Sequence, residues 1–317
     1  MATAVNGAKA SYKITNWAKY NESLVRRGDI TFWFDEDVLD AWEHDNADWK
    51  VGRPFFYSNL AIESLLMLRE LFRLPYRQTE GLGRALVKLM GADVPIPDYT
   101  SLQKRAAKLD VAIKIAQASA GPIHVVVDST GLKVYGEGEW KVRKHGVGKR
   151  RTWRKLHLAV DPDTHEIVAR TLTENDVHDA DQVDSLLDQV DTEVEAFYGD
   201  GAYDQWKVYD SLDTRKIWSI IPPRKNAKIK QHGNASADPL QRDECIRQIK
   251  RDGLKAWKES IGYHRRSLAE TAMYRFKRCF GEGLKNRKLE NQRTEVGLRC
   301  KLLNIFVTLG MPLFAWG

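Results

Sequence analysis

Two hydrophobic periodicities divide this chain, and they change over near Ala120. Before it, from Tyr57 to Lys108, apolar residues recur at helical spacing. YSNLAIESLLMLRELFRL predicts an amphipathic helix that Pro75 stops, and YRQTEGLGRALVKLMG a second one interrupted by two glycines. PIPDYTSLQKRAAKL begins a third, capped by Asp98 or Thr100. After Ala120 the texture becomes that of strands. GPIHVVVD predicts a short buried strand ending on Asp128, and VEAFYGDGAYD another ending on Asp200. Gly201 lets the backbone turn sharply there and keeps the carboxylate accessible. KLHLAVDPDTHEIVARTLT predicts a hairpin whose turn accounts for Asp161 and Asp163. Helices over NDVHDADQVDSLLDQV and QWKVYDSLDTR follow, and Pro222 and Pro223 stop the strand KIWSIIPP.

Residues 1–53 form an N-terminal arm in which FWFDEDVLDAW predicts a short helix capped by Asp35, its aromatics docked on a neighbour. Residues 224–259 are a basic, hydrophilic insert with a helical second half. YHRRSLAETAMYRFK, Tyr263 to Lys277, then predicts a helix, because neither Gly nor Pro occurs between Tyr263 and Phe280. At about 100° per residue, Tyr263, Arg266, Glu270 and Lys277 share one stripe, while Leu268, Ala272, Phe276 and Cys279 face a core. Taken alone, the stripe is equally that of a solvated helix face. KLENQRTEVGLRCKLLNIFVTLG is a last long helix with Leu298, Leu302, Ile305 and Leu309 inward.

Composition narrows the class. With 43% hydrophobic and 29% charged residues in 317, the chain can bury a full core in two or three units. The net charge of +7 favours an acidic partner, nucleic acid first. Cys245, Cys279 and Cys300 have no metal-type spacing and suit a reducing compartment. No run resembles a signal peptide or approaches 18 apolar residues, so the expected location is cytoplasmic, with no membrane span.

The cations fall in two places. KVRKHGVGKRRTWRK, Lys141 to Lys155, holds eight Lys or Arg residues between two strands, and a solvated loop or a phosphate-contacting loop has this density. Lys144, Lys149, Arg150, Arg151 and Arg154 are its candidate DNA contacts. The third N-terminal helix carries Tyr99, Ser101, Gln103, Lys104 and Arg105, a set suited to a helix-turn-helix unit whose last helix enters a major groove. A plain three-helix packing unit has the same pattern. Trp218 and Trp257 could stack on a base, but interior packing is expected for both.

The order strand with Asp128, hairpin, helix, strand with Asp200, helix, strand, insert, helix with Glu270 resembles that of a ribonuclease H-like domain. In that topology three carboxylates 72 and 70 residues apart converge. Hard divalent ions favour such all-oxygen donors. Tyr263, Arg266, Glu270 and Lys277 also reproduce the spacing Y, two residues, R, three residues, E, six residues, K, and this resembles bacterial insertion-sequence transposases with an Asp, Asp, Glu triad. VVVDSTGLKVYGEGEW, RKLHLAVD, NDVHDADQ, YGDGAYD and FGEGLKNRKLENQRTEVGLRCKLLN are similar to the insertion-sequence-five family in particular, over about residues 54–311.

The resemblance implies an α/β ribonuclease H-like catalytic domain at 121–317, a mixed sheet flanked by helices, behind an all-α helix-turn-helix-type DNA-binding domain at 54–120. It implies that Asp128, Asp200 and Glu270 are catalytic and hold two Mg²⁺ ions, with Mn²⁺ a substitute, and that Tyr263, Arg266 and Lys277 contact DNA. The implied partners are double-stranded DNA, as terminal inverted repeats and target, and a second copy of the chain on paired ends in a bacterial nucleoid. The implied reaction is hydrolysis at the element's 3′ ends followed by joining of the 3′-OH to target DNA. A metal-dependent nuclease that never joins, or a catalytically idle DNA-binding derivative, shares most of these features.

Overall fold

The computed structural model describes residues 12–30, 36–47, 52, 54–113, 115, 121–134, 152–232 and 238–316. Its centre is a mixed sheet of six strands. They are β2 (Ile123–Val134), β3 (Trp153–Val160), β4 (Ile167–Glu174), β5 (Val194–Tyr198), β6 (Trp218–Ile220) and β7 (Gly283–Leu284). The order is β4-β3-β2-β5-β6, with β2, β3 and β4 antiparallel and β5 and β6 parallel to β2. β2 is buried on both faces through Val125, Val126 and Val127, which is why it is a continuous β-branched run rather than an alternating one. A small sheet pairs β1 (Tyr12–Ile14) with β8 (Phe314–Trp316), tying the two ends of the described chain together.

Partial pairing along one edge of β2 positions everything else. β5 pairs it from Ile123 to Val126, and β7 pairs the same strand only at Lys133 and Val134. Between the two pairings no described strand bonds this edge, and Asp128 lies in that gap. On the other edge β3 pairs without interruption, Asp128 standing opposite Leu158 and Ser129 opposite His157.

Helices cover both faces. α6 (Val183–Leu187) and α7 (Trp206–Thr214) close one, over Val125, Val127 and Phe197. The other is covered by α10 (Ser267–Phe280) and α11 (Leu289–Leu309), with α3 (Asn59–Leu71), α4 (Tyr76–Met90) and α5 (Tyr99–Ala106) behind them. Before these come α1 (Trp17–Arg26) and α2 (Glu36–Asp40); α8 (Gln241–Asp252) and α9 (Leu254–Ser260) make up the helical half of the insert. Asp35 lies outside the described residues. The arm does dock its aromatics, for Trp42 is 1% exposed and its indole N–H donates to the Pro95 carbonyl at 2.7 Å.

The N-terminal helices do not stand apart, because Leu65, Leu102 and Ala106 share one core with Leu132, Phe276 and Leu302. Ser58 and Asp98 cap α3 and α5 by accepting backbone N–H groups. Residues 91–98 join α4 to α5, a longer connection than the three or four residues of a helix-turn-helix turn.

α11 explains this union. Fourteen of its 21 residues are buried, too many for a simple amphipathic stripe, and several are polar. Asn304 both donates to and accepts from the Ile167 backbone, and Thr294 donates to the Ala106 carbonyl. Arg299, 1% exposed, donates from Nε to Glu70 on α3 at 2.9 Å, from Nη1 to the Gly283 carbonyl at 3.1 Å, and pairs with Glu295. Glu70 also pairs with Arg69, and Glu295 accepts the backbone N–H groups of Lys285 and Asn286. Two positive and two negative charges thus neutralise one another away from water. Substituting Arg299→Met leaves Glu70 and Glu295 short of a counter-charge in the interior. Urea unfolding followed by circular dichroism is expected to lose about 3–5 kcal/mol, and an unchanged midpoint would show the network to be solvated.

Candidate active site

Asp128 extends from β2 on the face that carries Val126 and Leu132, the side covered by α10. Asp200 follows β5 and caps a short 3-10 turn, its Oδ1 accepting the Ala202 N–H at 2.8 Å. The glycine this arrangement requires is Gly199 rather than Gly201. A Cβ at Gly199 would lie 2.9 Å from the Tyr203 ring, whereas one at Gly201 meets nothing nearer than 3.7 Å, and neither has positive φ. Glu270 occupies the first turn of α10, where the helix dipole favours a carboxylate, and it is exposed.

Tyr263–Arg266 form a 3-10 turn, with the α-helix beginning only at Ser267. This corrects the expected unbroken helix from Tyr263 to Lys277. Gly262, at φ 64°, starts the turn, and since residues three apart eclipse in a 3-10 helix, Tyr263 and Arg266 still share a side. The buried side of α10 is Ala269, Ala272, Met273, Phe276 and Phe280, with Leu268 and Cys279 partly covered.

Arg266 stands among the acids. Its guanidinium pairs with Glu270, donating from Nη1 to Oε1 at 3.0 Å, and lies 4.0 Å from Asp128 Oδ2. Burial pushes the Asp128 carboxyl above its usual range. The Ser129 N–H and Arg266 oppose that shift, while the charges of Asp200 and Glu270 add to it. Three elements therefore bring three carboxylates into one electrostatic neighbourhood balanced by a guanidinium. One oxygen of each is already engaged, Asp128 Oδ1 by Ser129, Asp200 Oδ1 by Ala202 and Glu270 Oε1 by Arg266, leaving the second oxygen of each without a hydrogen bond among the described residues. This all-oxygen donor set fits a hard divalent cation. Among the described residues, however, no three acidic, histidine or cysteine side chains are gathered closely enough to enclose one as they stand.

Tyr263 donates its hydroxyl to the Gly199 carbonyl at 3.4 Å, which ties the 3-10 turn to the loop carrying Asp200. Burial, resisted by Arg266 and reinforced by Asp200 and Asp128, pushes its phenol up to about 12. Lys277 lies half-buried about two turns beyond Glu270 on the same side of α10.

The other expected DNA contacts divide. Lys144, Lys149, Arg150 and Arg151 lie outside the described residues. Arg154 is held by Gln292 at 3.0 Å and Glu174 at 2.6 Å, a cross-strand partner that periodicity could not reveal. Arg105 is turned inward, donating to the Tyr57 carbonyl and to Asn59 and stacking 4.0 Å over the Phe55 ring. Both arginines are engaged by the fold: Arg105 is corrected from a surface contact to an internal one, and half-buried Arg154 is occupied in an ion pair with exposed Glu174. Lys104 and Gln103 are exposed on α5, whereas Tyr99 is stacked under Arg77 and Ser101 donates to Asp98. Trp257 is buried as expected, but Trp218, at a sheet edge, is 63% exposed, because β6 is only three residues long and its outer side has no strand neighbour among the described residues.

Sequence reasoning missed a second layer. Arg265 pairs with Asp163 of the hairpin turn and donates to His124, so the DPDT turn holds the start of the Glu270 helix as well as reversing the chain. On the opposite face of the sheet, His157 is wholly buried, with Nε2 3.0 Å from the Thr173 hydroxyl and Nδ1 3.5 Å from Asp179, which also pairs with Lys155. Tyr203, almost fully buried, has its hydroxyl pushed well up by burial and by the charges of Asp179, Asp128 and Asp200. The signal for this layer was that Asp179, His157 and Tyr203 lie within the NDVHDADQ, RKLHLAVD and YGDGAYD runs.

Burial depresses the His157 imidazole to about 4, against the pull of Asp179 and with the help of Lys155. The ring is neutral in the folded protein and takes up a proton on unfolding. Its contribution is therefore complete above pH 6.5 and is lost as pH falls toward 4, a change of roughly 3 kcal/mol. Urea midpoints measured between pH 4 and 6.5 should fall with pH in the wild type, and His157→Gln should remove that part of the slope.

Residues 119–305, more than half the chain, match the family described as Transposase DDE domain, and residues 25–137 match a second family of the same description. Together these spans take in the three acids, the six-stranded sheet and all but the last turn of the helices that cover it. The chain belongs to the DDE transposase family.

Proposed function

We propose that the protein is a DNA transposase of the insertion-sequence-five type. In this reading it binds the terminal inverted repeats of its own element, hydrolyses the phosphodiester at each 3′ end and joins the freed 3′-OH to target DNA. The observation that carries the proposal is the meeting of Asp128, Asp200 and Glu270, from three separate elements, around Arg266 in a member of this family. Asp128, Asp200 and Glu270 would hold two Mg²⁺ ions, or Mn²⁺, which when bound activate an attacking hydroxyl and stabilise the leaving oxygen of an in-line displacement.

The rest is work for side chains. Arg266 offsets the repulsion among the acids and has the forked geometry that suits a phosphate. Tyr263 orients the Asp200 loop through Gly199. Lys277 offers a cation to the backbone of a strand lying along α10. Exposed Lys104 and Gln103, with Lys144, Lys149, Arg150 and Arg151, supply binding of the ends. No described helix is long and apolar enough to cross a membrane. Action on paired ends calls for two copies of the chain, and the proposed setting is the bacterial cytoplasm at the nucleoid.

Purified protein incubated with Mg²⁺ and DNA carrying the gene's own flanking ends should give 3′-end nicks and joined products. Asp128→Asn, Asp200→Asn and Glu270→Gln should each lower both by at least about 100-fold while end binding is retained. Residual cleavage in two of the three would remove the triad assignment, and nicking without joining in the wild type would make the protein a nuclease. Lys104→Ala is expected to flatten the salt dependence of end binding by about one phosphate contact.

A further inference from the structure

A cleft of about 940 Å³ opens where α3, α4, α5, the C-terminal end of α10 and the start of α11 meet, at the other end of α10 from Glu270. Arg69, Arg73, Lys285, Arg287 and Lys288 line it with Tyr76, and no carboxylate is among its described lining residues. Arg73, Arg287 and Lys288 are exposed, and Lys285 is half-buried. Lys285, Arg287 and Lys288 make no ion pair with any described residue. Burial pushes the Lys285 ammonium below its usual range despite the pull of Glu70. Arg69 is 4% exposed and bound to Glu70 on one side, yet its Nε finds no acceptor among the described residues. A buried donor without a partner carries a standing cost.

Two rulers give the distance from this cleft to the acids. Phe280, on its wall, is ten residues beyond Glu270 in α10, about 15 Å at the helical rise. Gly283, also on its wall, pairs with Lys133, five residues beyond Asp128 in β2, about 17 Å at the strand rise. Arg266, at the start of α10, lies 4.0 Å from Asp128, and Gly283, three residues past the end of α10, pairs with Lys133, so helix and strand run the same way and both rulers lead to one place. At about 3.4 Å per nucleotide, the separation is four to five base pairs.

We propose that this cleft is a second site for the DNA phosphate backbone, holding the duplex about four to five base pairs from the scissile phosphate. The assignment rests on the transposase reading above. The volume is far larger than a single phosphate needs, and the cations come from separate segments, after α3 and before α11, as a continuous strand of phosphates requires. Gln103 of α5 lines the same cleft and so links it to the exposed residues of the N-terminal unit.

The test uses the full chain and duplexes carrying the gene's own flanking ends, titrated between about 50 and 200 mM salt. Only backbone carbonyls of Arg287 and Lys288 take part in the start of α11, so Arg287→Ala with Lys288→Ala preserves those bonds. The double variant should bind more weakly, with a slope of log affinity against log salt shallower by about 1.8, the value for two lost phosphate contacts. Ethylation interference on the wild type, which needs no variant, should mark phosphates four to five nucleotides from the cut, and the double variant should lose those marks. Interference confined to phosphates beside the cut, or an unchanged slope in the double variant, would overturn the cleft and leave the transposase reading standing. Wild-type protein that binds no duplex would take both down.

Discussion

A neutral knot of four buried charges holds this molecule in one piece. Arg299 reaches Glu70 of the N-terminal helices, Glu295 of its own helix and the Gly283 carbonyl of β7, and Arg69 completes the balance. Each ion would be costly to bury alone, so the four assemble together or not at all. The consequence is geometric. α3 cannot separate from α11, nor β7 from either, and the helical layer and the sheet behave as one body with one core. The carbonyl and amide partners on residues 283–286 also shape the segment that forms the wall of the basic cleft.

The same body leaves one strand edge incompletely paired, and the acids gather beside it. β5 stops pairing β2 at Val126 and β7 resumes only at Lys133. A strand edge within a buried sheet is ordinarily covered. Here Asp128 lies along it, with Asp200 leaving the end of β5 and Glu270 arriving from α10 above. Like charges so placed repel, and Arg266 restrains them at the cost of lying partly buried itself. Tyr263 to Gly199 and Arg265 to Asp163 then fix the start of that helix to the sheet at two points, so the geometry of the acids is held by the fold and not by the acids themselves.

Charge type separates the cations by use. Arg105 and Arg299 spend their planar donors on carbonyls and carboxylates inside the protein, and Arg154 spends its own on Gln292 and Glu174 at the sheet's rim, a task to which a guanidinium is better suited than an ammonium. Lys104, Arg287 and Lys288 remain in solvent, and half-covered Lys285 lines the same cleft as the latter two. A net charge of +7 thus understates the asymmetry of the surface, since much of the internal arginine is neutralised locally.

Element order, the cap residue Asp98, the buried β2 run, the hairpin turn and the placement of Asp200 at a strand end and Glu270 on a helix face were legible in the sequence, whereas the strand expected to end on Asp128 runs on to Val134 and leaves that acid in mid-strand, because β3 pairs it across the whole stretch. Each is a local property: periodicity, capping and turn chemistry act within a few residues. What could not be read there depends on partners far away. Arg299 and Glu70 are 229 residues apart, Arg154 and Gln292 are 138, and Arg265 and Asp163 are 102. Nothing local distinguishes an arginine that will meet a carboxylate across the fold from one that will face water. So Arg105 looked like a surface residue and is internal, Trp218 looked internal and is exposed, and the cations at 285–288 passed as the ordinary run before a helix. The local sequence determined which elements form and which side chains they present. Only tertiary packing decided which of those side chains are consumed in holding the elements together and which are left to act on a partner, because a contact's partner is chosen by the distance closed on folding and not by distance along the chain.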